Sequence, residues 1–75
     1  MYYVYLIKNR KTERFYIGYT DDLRRRVKEH KSKIPELIYY EAYKSEQDAR
    51  SREIKLKQRG QGIRRLKERL YYSIR

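Results

Sequence analysis

The sequence predicts an α+β domain, a three-stranded antiparallel sheet flanked by three helices in the order β-β-α-β-α-α. Three observations lead there. Two aromatic and β-branched runs, Tyr2–Ile7 and Arg14–Tyr19, lie close enough in sequence to form an antiparallel hairpin. A third such run, Leu37–Tyr43, follows a charged segment whose apolar residues recur at helical spacing. The remainder repeats that spacing twice, punctuated by Gly60 and Gly62.

Tyr2–Ile7 has no polar face, which predicts a strand covered on both sides and therefore the central one. Asn9 to Glu13 is polar and turn-like, and the second strand then carries Tyr16-Ile17-Gly18. Thr20 or Asp21 is positioned to cap the first helix, with Asp21 and Asp22 placing negative charge at its positive end. Leu23, Arg26, Val27 and His30 occupy one stripe of that helix, so Arg26 and His30 are expected to face inward. Buried unpaired charge is costly, and two such residues one turn apart suggest chemistry. Lys31 to Lys33 and Pro35 break the chain before the third strand.

Ser45 is expected to cap a second helix over about Glu46–Gln58, with Asp48 at the capping-box position. Ala49, Glu53 and Leu56 share its inward stripe, which sets a carboxylate between apolar neighbours. Arg59-Gly60-Gln61-Gly62 ends this helix. A third helix follows, with Ile63, Leu66, Leu70 and Ile74 at helical spacing.

Seventy-five residues leave room for one domain, 1–75, with a small core. With no cysteine, disulfides and thiolate metal sites are excluded. Tyr2–Ile7 is too short for a signal or membrane segment, so a cytoplasmic, soluble protein without membrane contact is expected. The formal charge is +11, with +6 in residues 1–35 and +5 in 36–75, so the excess is not a detachable tail. Such a field gathers polyanions, and nucleic acid is preferred to an anionic membrane or a merely solvated surface. Ten tyrosines suit a thin sheet, since each ring packs while its hydroxyl reaches water or a ligand.

Together these residues could support phosphodiester hydrolysis. Arg26 offers a permanently charged fork for phosphate oxygens. Glu53 could hold one Mg²⁺ or Mn²⁺, hard ions that accept one carboxylate with waters and substrate oxygens. A tyrosine hydroxyl beside them could act as general base, and His30 could relay a proton. Each residue has a plainer role open to it. The tyrosines could be packing residues, Arg26 and Glu53 a buried bridge between helices, His30 structural, and Gly18 a strand end or bulge.

Tyr3-Val4-Tyr5, Tyr16-Ile17-Gly18, Thr20, Leu23, Arg26, His30 and Glu53, in this order and at these intervals, resemble the GIY-YIG nuclease family. The closest likeness is to its small single-domain bacterial branch, related to the nuclease module of excision repair. The likeness extends through Leu37-Ile38-Tyr39-Tyr40-Glu41 and Arg52-Glu53. It implies a DNA endonuclease using one divalent metal and no small-molecule cofactor. It further implies Tyr16 as general base or nucleophile, Tyr5 as the residue positioning water and phosphate, Arg26 on the phosphate, Glu53 on the metal, and a supporting role for His30.

Three departures stand out. The first triplet is Tyr-Val-Tyr where the family name has Gly-Ile-Tyr, the stretch from His30 to Leu37 is short, and Arg65 stands where excision-repair relatives place an asparagine. The alternative is a non-catalytic nucleic-acid-binding domain on the same scaffold; a recruiting module has only small size in its favour. DNA is the expected partner, with RNA left open. Size suggests a monomer, and an exposed strand edge could pair two copies.

Overall fold

The structure, a computed structural model, describes residues 1–29 and 34–74, with the backbone alone at 59 and 61. In chain order the elements are β1 Tyr2–Asn9, β2 Phe15–Thr20, α1 Leu23–Glu29, β3 Pro35–Tyr43, α2 Glu46–Lys57, α3 Gln61–Arg69 and α4 Tyr71–Ile74. One turn of 3-10 helix, Gln58–Gly60, joins α2 to α3. The expected order holds, but the helices among the described residues number four instead of three.

The sheet is antiparallel in the order β2-β1-β3, which makes β1 central as its composition predicts. Val4, Tyr5, Leu6 and Ile7 are all buried in succession, a pattern only a strand covered on both faces can have. Strand alternation sends Val4 and Leu6 to one face, where they join Ala49 and Leu56 of α2 and Leu66 of α3 in the core. Burying each large apolar side chain there stabilises the fold by roughly 1.5–3 kcal/mol. Tyr3, Tyr5 and Ile7 point to the other face, the side of α1.

Several boundaries differ from the sequence reading. Pro35 opens β3 instead of lying in the break, tolerable because β3 is an edge strand and its first residue needs no ladder N–H there. A bulge opposite Leu6 and Ile7 absorbs Ile38. The cap of α1 is Asp22, whose Oδ1 accepts the Arg25 N–H at 3.1 Å, while Thr20 Oγ1 accepts the Asp22 N–H. Ser45 sits at the N-cap of α2 with extended backbone but makes no side-chain cap bond. The last helix breaks at Leu70, whose N–H turns to the carbonyls of Leu66 and Lys67. The short α4 then restarts, and the Lys8 ammonium donates to the Ile74 carbonyl at 3.1 Å, tying this end to β1. None of the described helices is long and apolar enough to cross a membrane.

Beneath α2 lies one fully engaged carboxylate. Glu41 of β3 accepts hydrogen bonds from the Tyr39 hydroxyl at 2.7 Å, from the Tyr43 hydroxyl, and from Arg52 Nε and Nη2 at 2.9 and 3.0 Å. Burial pushes the Glu41 carboxyl up, yet the bonds from Arg52, Tyr43 and Tyr39 outweigh it and hold the group below its ordinary value of 4.5. Tyr43 is driven the other way, to about 12, first by burial and then by its bond to the carboxylate.

A depressed carboxyl stabilises the fold above its unfolded pKa, and this contribution is lost as pH falls through the folded value. Glu41→Gln is therefore expected to cost about 2–3 kcal/mol near neutrality, because it leaves Arg52 half-buried without its counter-charge. The gap to the native protein should begin to narrow below about pH 4.5, the unfolded value, and close only once pH has fallen through the lower folded value. Urea midpoints from pH 7 down through the acid range measure this, and a gap that stays constant all the way into acid unfolding would contradict it. At the alkaline end, stability linked to Tyr43 should be present below pH 10 and lost as pH rises towards about 12.

Candidate functional site

On the α1 side of the sheet, Tyr5 stands directly opposite Gly18 in the β1–β2 register. The phenol lies flat over that glycine. A Cβ added at Gly18 would come within 2.3 Å of the Tyr5 hydroxyl and 2.6 Å of the ring carbon bearing it. Gly18 is thus neither a strand end nor a bulge; it is an in-register floor that only a residue without a side chain can provide. With the ring held down, the Tyr5 hydroxyl accepts a hydrogen bond from Arg26 Nε at 3.2 Å.

Arg26 does not occupy the buried stripe the helical spacing predicts. α1 spans only seven residues and buries none of them, and the Arg26 side chain remains 46% exposed. On so short a helix Leu23 and Val27 are themselves only half-covered. Arg26 instead lies along the surface, with Nη1 on Glu29 at 3.0 Å and Nε on Tyr5. These bonds, the one to Tyr5 foremost, raise its already high pKa. His30 lies outside the described residues.

Tyr16 sits two residues before Gly18 on β2, the diagonal neighbour of Tyr5 on the same face, at about 7–8 Å by sheet geometry. Because β2 is an edge strand, Tyr16 also borders a shallow groove of about 370 Å³ shared with Leu56 and Lys57 of α2. Glu53 occupies the expected inward stripe with Ala49 and Leu56; its side chain is 18% exposed and its Oε2 lies 3.5 Å from the Lys57 ammonium. The bridge between Arg26 and Glu53 does not exist, since Arg26 pairs with Glu29 and Glu53 with Lys57. Tyr5 and Arg26 are therefore in contact and Tyr16 is the diagonal neighbour of Tyr5 on the same face, whereas Glu53 lies on α2, which packs on the opposite face of the sheet.

Two neighbours were not singled out from sequence. Lys57 follows Glu53 by one helical turn, and Glu29 follows Arg26 by three residues, both ordinary i,i+3 or i,i+4 partners that spacing could have flagged. Tyr19 serves packing, its ring under the Arg50 guanidinium and its hydroxyl accepting from Arg50 Nε at 2.8 Å.

Among the described residues, no group of three or more His, Cys, Asp or Glu side chains gathers as a metal cluster. A magnesium-like ion needs no such cluster when substrate oxygens and waters complete its shell. Glu53 fits that role, as a half-buried carboxylate that already draws one cationic group, Lys57, to its free oxygen.

A basic α+β domain carrying surface tyrosines, an arginine held by one of them and a half-buried carboxylate on the helix packed against the sheet has the make-up of a phosphate-handling hydrolytic domain. A family model, the GIY-YIG catalytic domain, matches residues 1–67. The chain belongs to the GIY-YIG family, a family of nucleases, so its activity is of the nuclease type and its substrate is nucleic acid. No curated protein and no solved structure matches the chain.

Gly18→Ala tests the floor beneath Tyr5. Since Tyr5 is only 3% exposed, its ring has nowhere to retreat, and a loss of about 1–3 kcal/mol is expected in denaturant unfolding. An unchanged midpoint would contradict the stacking.

Proposed function

We propose that the protein is a metal-dependent DNA nuclease that hydrolyses phosphodiester bonds at the β2 edge. The observation that carries the proposal is the Tyr5–Arg26 hydrogen bond above Gly18, two residue pairs along the ladder from Tyr16 and on the same face. A guanidinium fixed by a phenol keeps its direction while staying at the surface, where a phosphate can reach it.

In this reading Arg26 binds non-bridging phosphate oxygens and Tyr5 orients it. Tyr16, as general base, takes a proton from water as the water oxygen bonds to phosphorus and the bond to the leaving oxygen breaks. The leaving oxygen gains a proton from solvent. Glu53 would hold a Mg²⁺ or Mn²⁺ ion, which supplies charge neutralisation at the phosphate and the leaving oxygen. Glu29 competes with substrate for Arg26 Nη1, so binding exchanges a carboxylate for a phosphate at that nitrogen.

Nicking of supercoiled plasmid with Mg²⁺ or Mn²⁺ is the test. Tyr16→Phe should lower the rate by roughly 10²–10⁴, and Glu53→Ala should abolish its metal dependence. Arg26→Lys should not rescue, because an ammonium cannot hold two oxygens in a fixed plane. DNA binding without nicking at any metal concentration would sink the proposal and leave a nucleic-acid-binding domain on the same scaffold.

Glu29→Gln gives a separate prediction. Releasing Arg26 from an exposed ion pair should lower KM by up to roughly five-fold with kcat little changed. A raised KM would show that Glu29 orients Arg26 instead of competing for it.

A further inference from the structure

On the opposite flank of α2 from Glu53, the structure forms a cleft of about 640 Å³ between α2 and α3. Arg52 and Lys55, three residues apart on α2, face Arg65 and Arg69, one turn apart on α3. None of the residues lining the cleft is acidic. Arg52 is already neutralised by Glu41, which leaves Lys55, Arg65 and Arg69, all exposed, around one concavity. Some cations elsewhere are met by carboxylates, as in Arg10–Glu36, Arg25–Asp21 and Lys57–Glu53.

Gathering like charges costs stability, about 0.2–0.5 kcal/mol for a pair one turn apart on a helix. Here the backbone itself brings them together. A Cβ at Gly62 would lie 2.8 Å from both the Leu56 Cα and the Lys55 carbonyl oxygen, so glycine lets α3 meet α2 closely at this cleft. Leu66, 2% exposed, then fixes the rotation of α3 by filling the core. With Leu66 inward, Arg65 and Arg69 take their places in the cleft wall.

We infer that this cleft is a second nucleic-acid contact, which grips the phosphodiester backbone with Lys55, Arg65 and Arg69 at a place separate from the β2 edge. The inference rests on nucleic acid being the substrate, and it does not require that the chain cut it. The shared ligand chemistry is phosphate, and the contiguous phosphates of a duplex suit several cations spread over one cleft.

The test is duplex DNA binding in EDTA, so that cleavage plays no part, across a salt series. Lys55→Ala/Arg65→Ala/Arg69→Ala is compared with Lys11→Ala/Arg14→Ala/Lys44→Ala, which removes the same charge elsewhere. Three lost phosphate contacts should reduce the slope of log affinity against log salt by about 2.7. Between about 50 and 200 mM salt the native chain should then lose roughly forty-fold more affinity than the cleft variant. The control triple should keep nearly the native slope. Equal slopes in both triples, or an unchanged slope in the cleft variant, would overturn the inference while leaving the nuclease reading intact. A native chain that binds no duplex at low salt would overturn both. Titration with inorganic phosphate at constant ionic strength is the other arm. Phosphate binding to the cleft as tight as that of the duplex would overturn the backbone assignment.

Discussion

Everything in this small protein depends on β1 being covered from two sides by a chain that can afford few helices. Its four consecutive buried residues need partners on both faces. The face of Val4 and Leu6 receives α2 and α3, and a closed apolar core results. Among the described residues, the helix on the face of Tyr5 is the seven-residue α1, none of it buried. That thin cover is filled by an aromatic ring lying over a glycine, and the ring's hydroxyl accepts a hydrogen bond from Arg26. The incomplete packing of one sheet face is thus the same feature that leaves an arginine at the surface with a fixed direction.

The second organising contact is the Glu41 carboxylate, which joins β3 to α2 through Arg52. A charge so placed would destabilise the core edge if alone, but four donors surround it, and its net pKa is depressed despite burial. The contact sets how α2 sits on the sheet. Arg50 ties the other flank of the helix to Tyr19 of β2. Held at both edges of the sheet, α2 has little freedom to roll, and the positions of Glu53 and Lys57 follow from that.

The strands were legible because their signals are local and redundant. The hydrophobic run of β1 permits no partly solvated assignment, and the sheet order follows once β1 is central. Glu53 was legible too, since Ala49 and Leu56 define its stripe and both are buried. Arg26 was read as facing inward, and it lies at the surface. Periodicity gives the direction a side chain leaves the helix but not how much protein lies there, and α1 has little above it. The floor at Gly18 depends on register across two strands, and the clustering of Lys55, Arg65 and Arg69 depends on how closely two helices cross. Neither is a property of any single segment. The break at Leu70 was illegible for a similar reason, because apolar spacing continues smoothly through it while the Lys8 contact to Ile74 comes from the far end of the chain.

On one flank of α2, Glu53 sits beside the cations Arg50 and Lys57, and on the other lie Arg52 and Lys55. Towards β2 the helix presents Glu53, the carboxylate suited to a cation; towards β3 and α3 it presents Arg52 and Lys55, suited to anions. A nuclease on a nucleic-acid backbone faces a conflict, since the carboxylate that draws in a metal also repels phosphate. Separating the two charges across the width of one helix eases it, because each field is strongest on its own side and is screened within about 8–10 Å by physiological salt. The helix is rigid and anchored at both sheet edges, so that separation is fixed by the fold and does not have to be reached on binding. The basic excess of the chain acquires a spatial meaning in this way: the cations of the cleft are set apart from Glu53, the carboxylate proposed as the metal ligand.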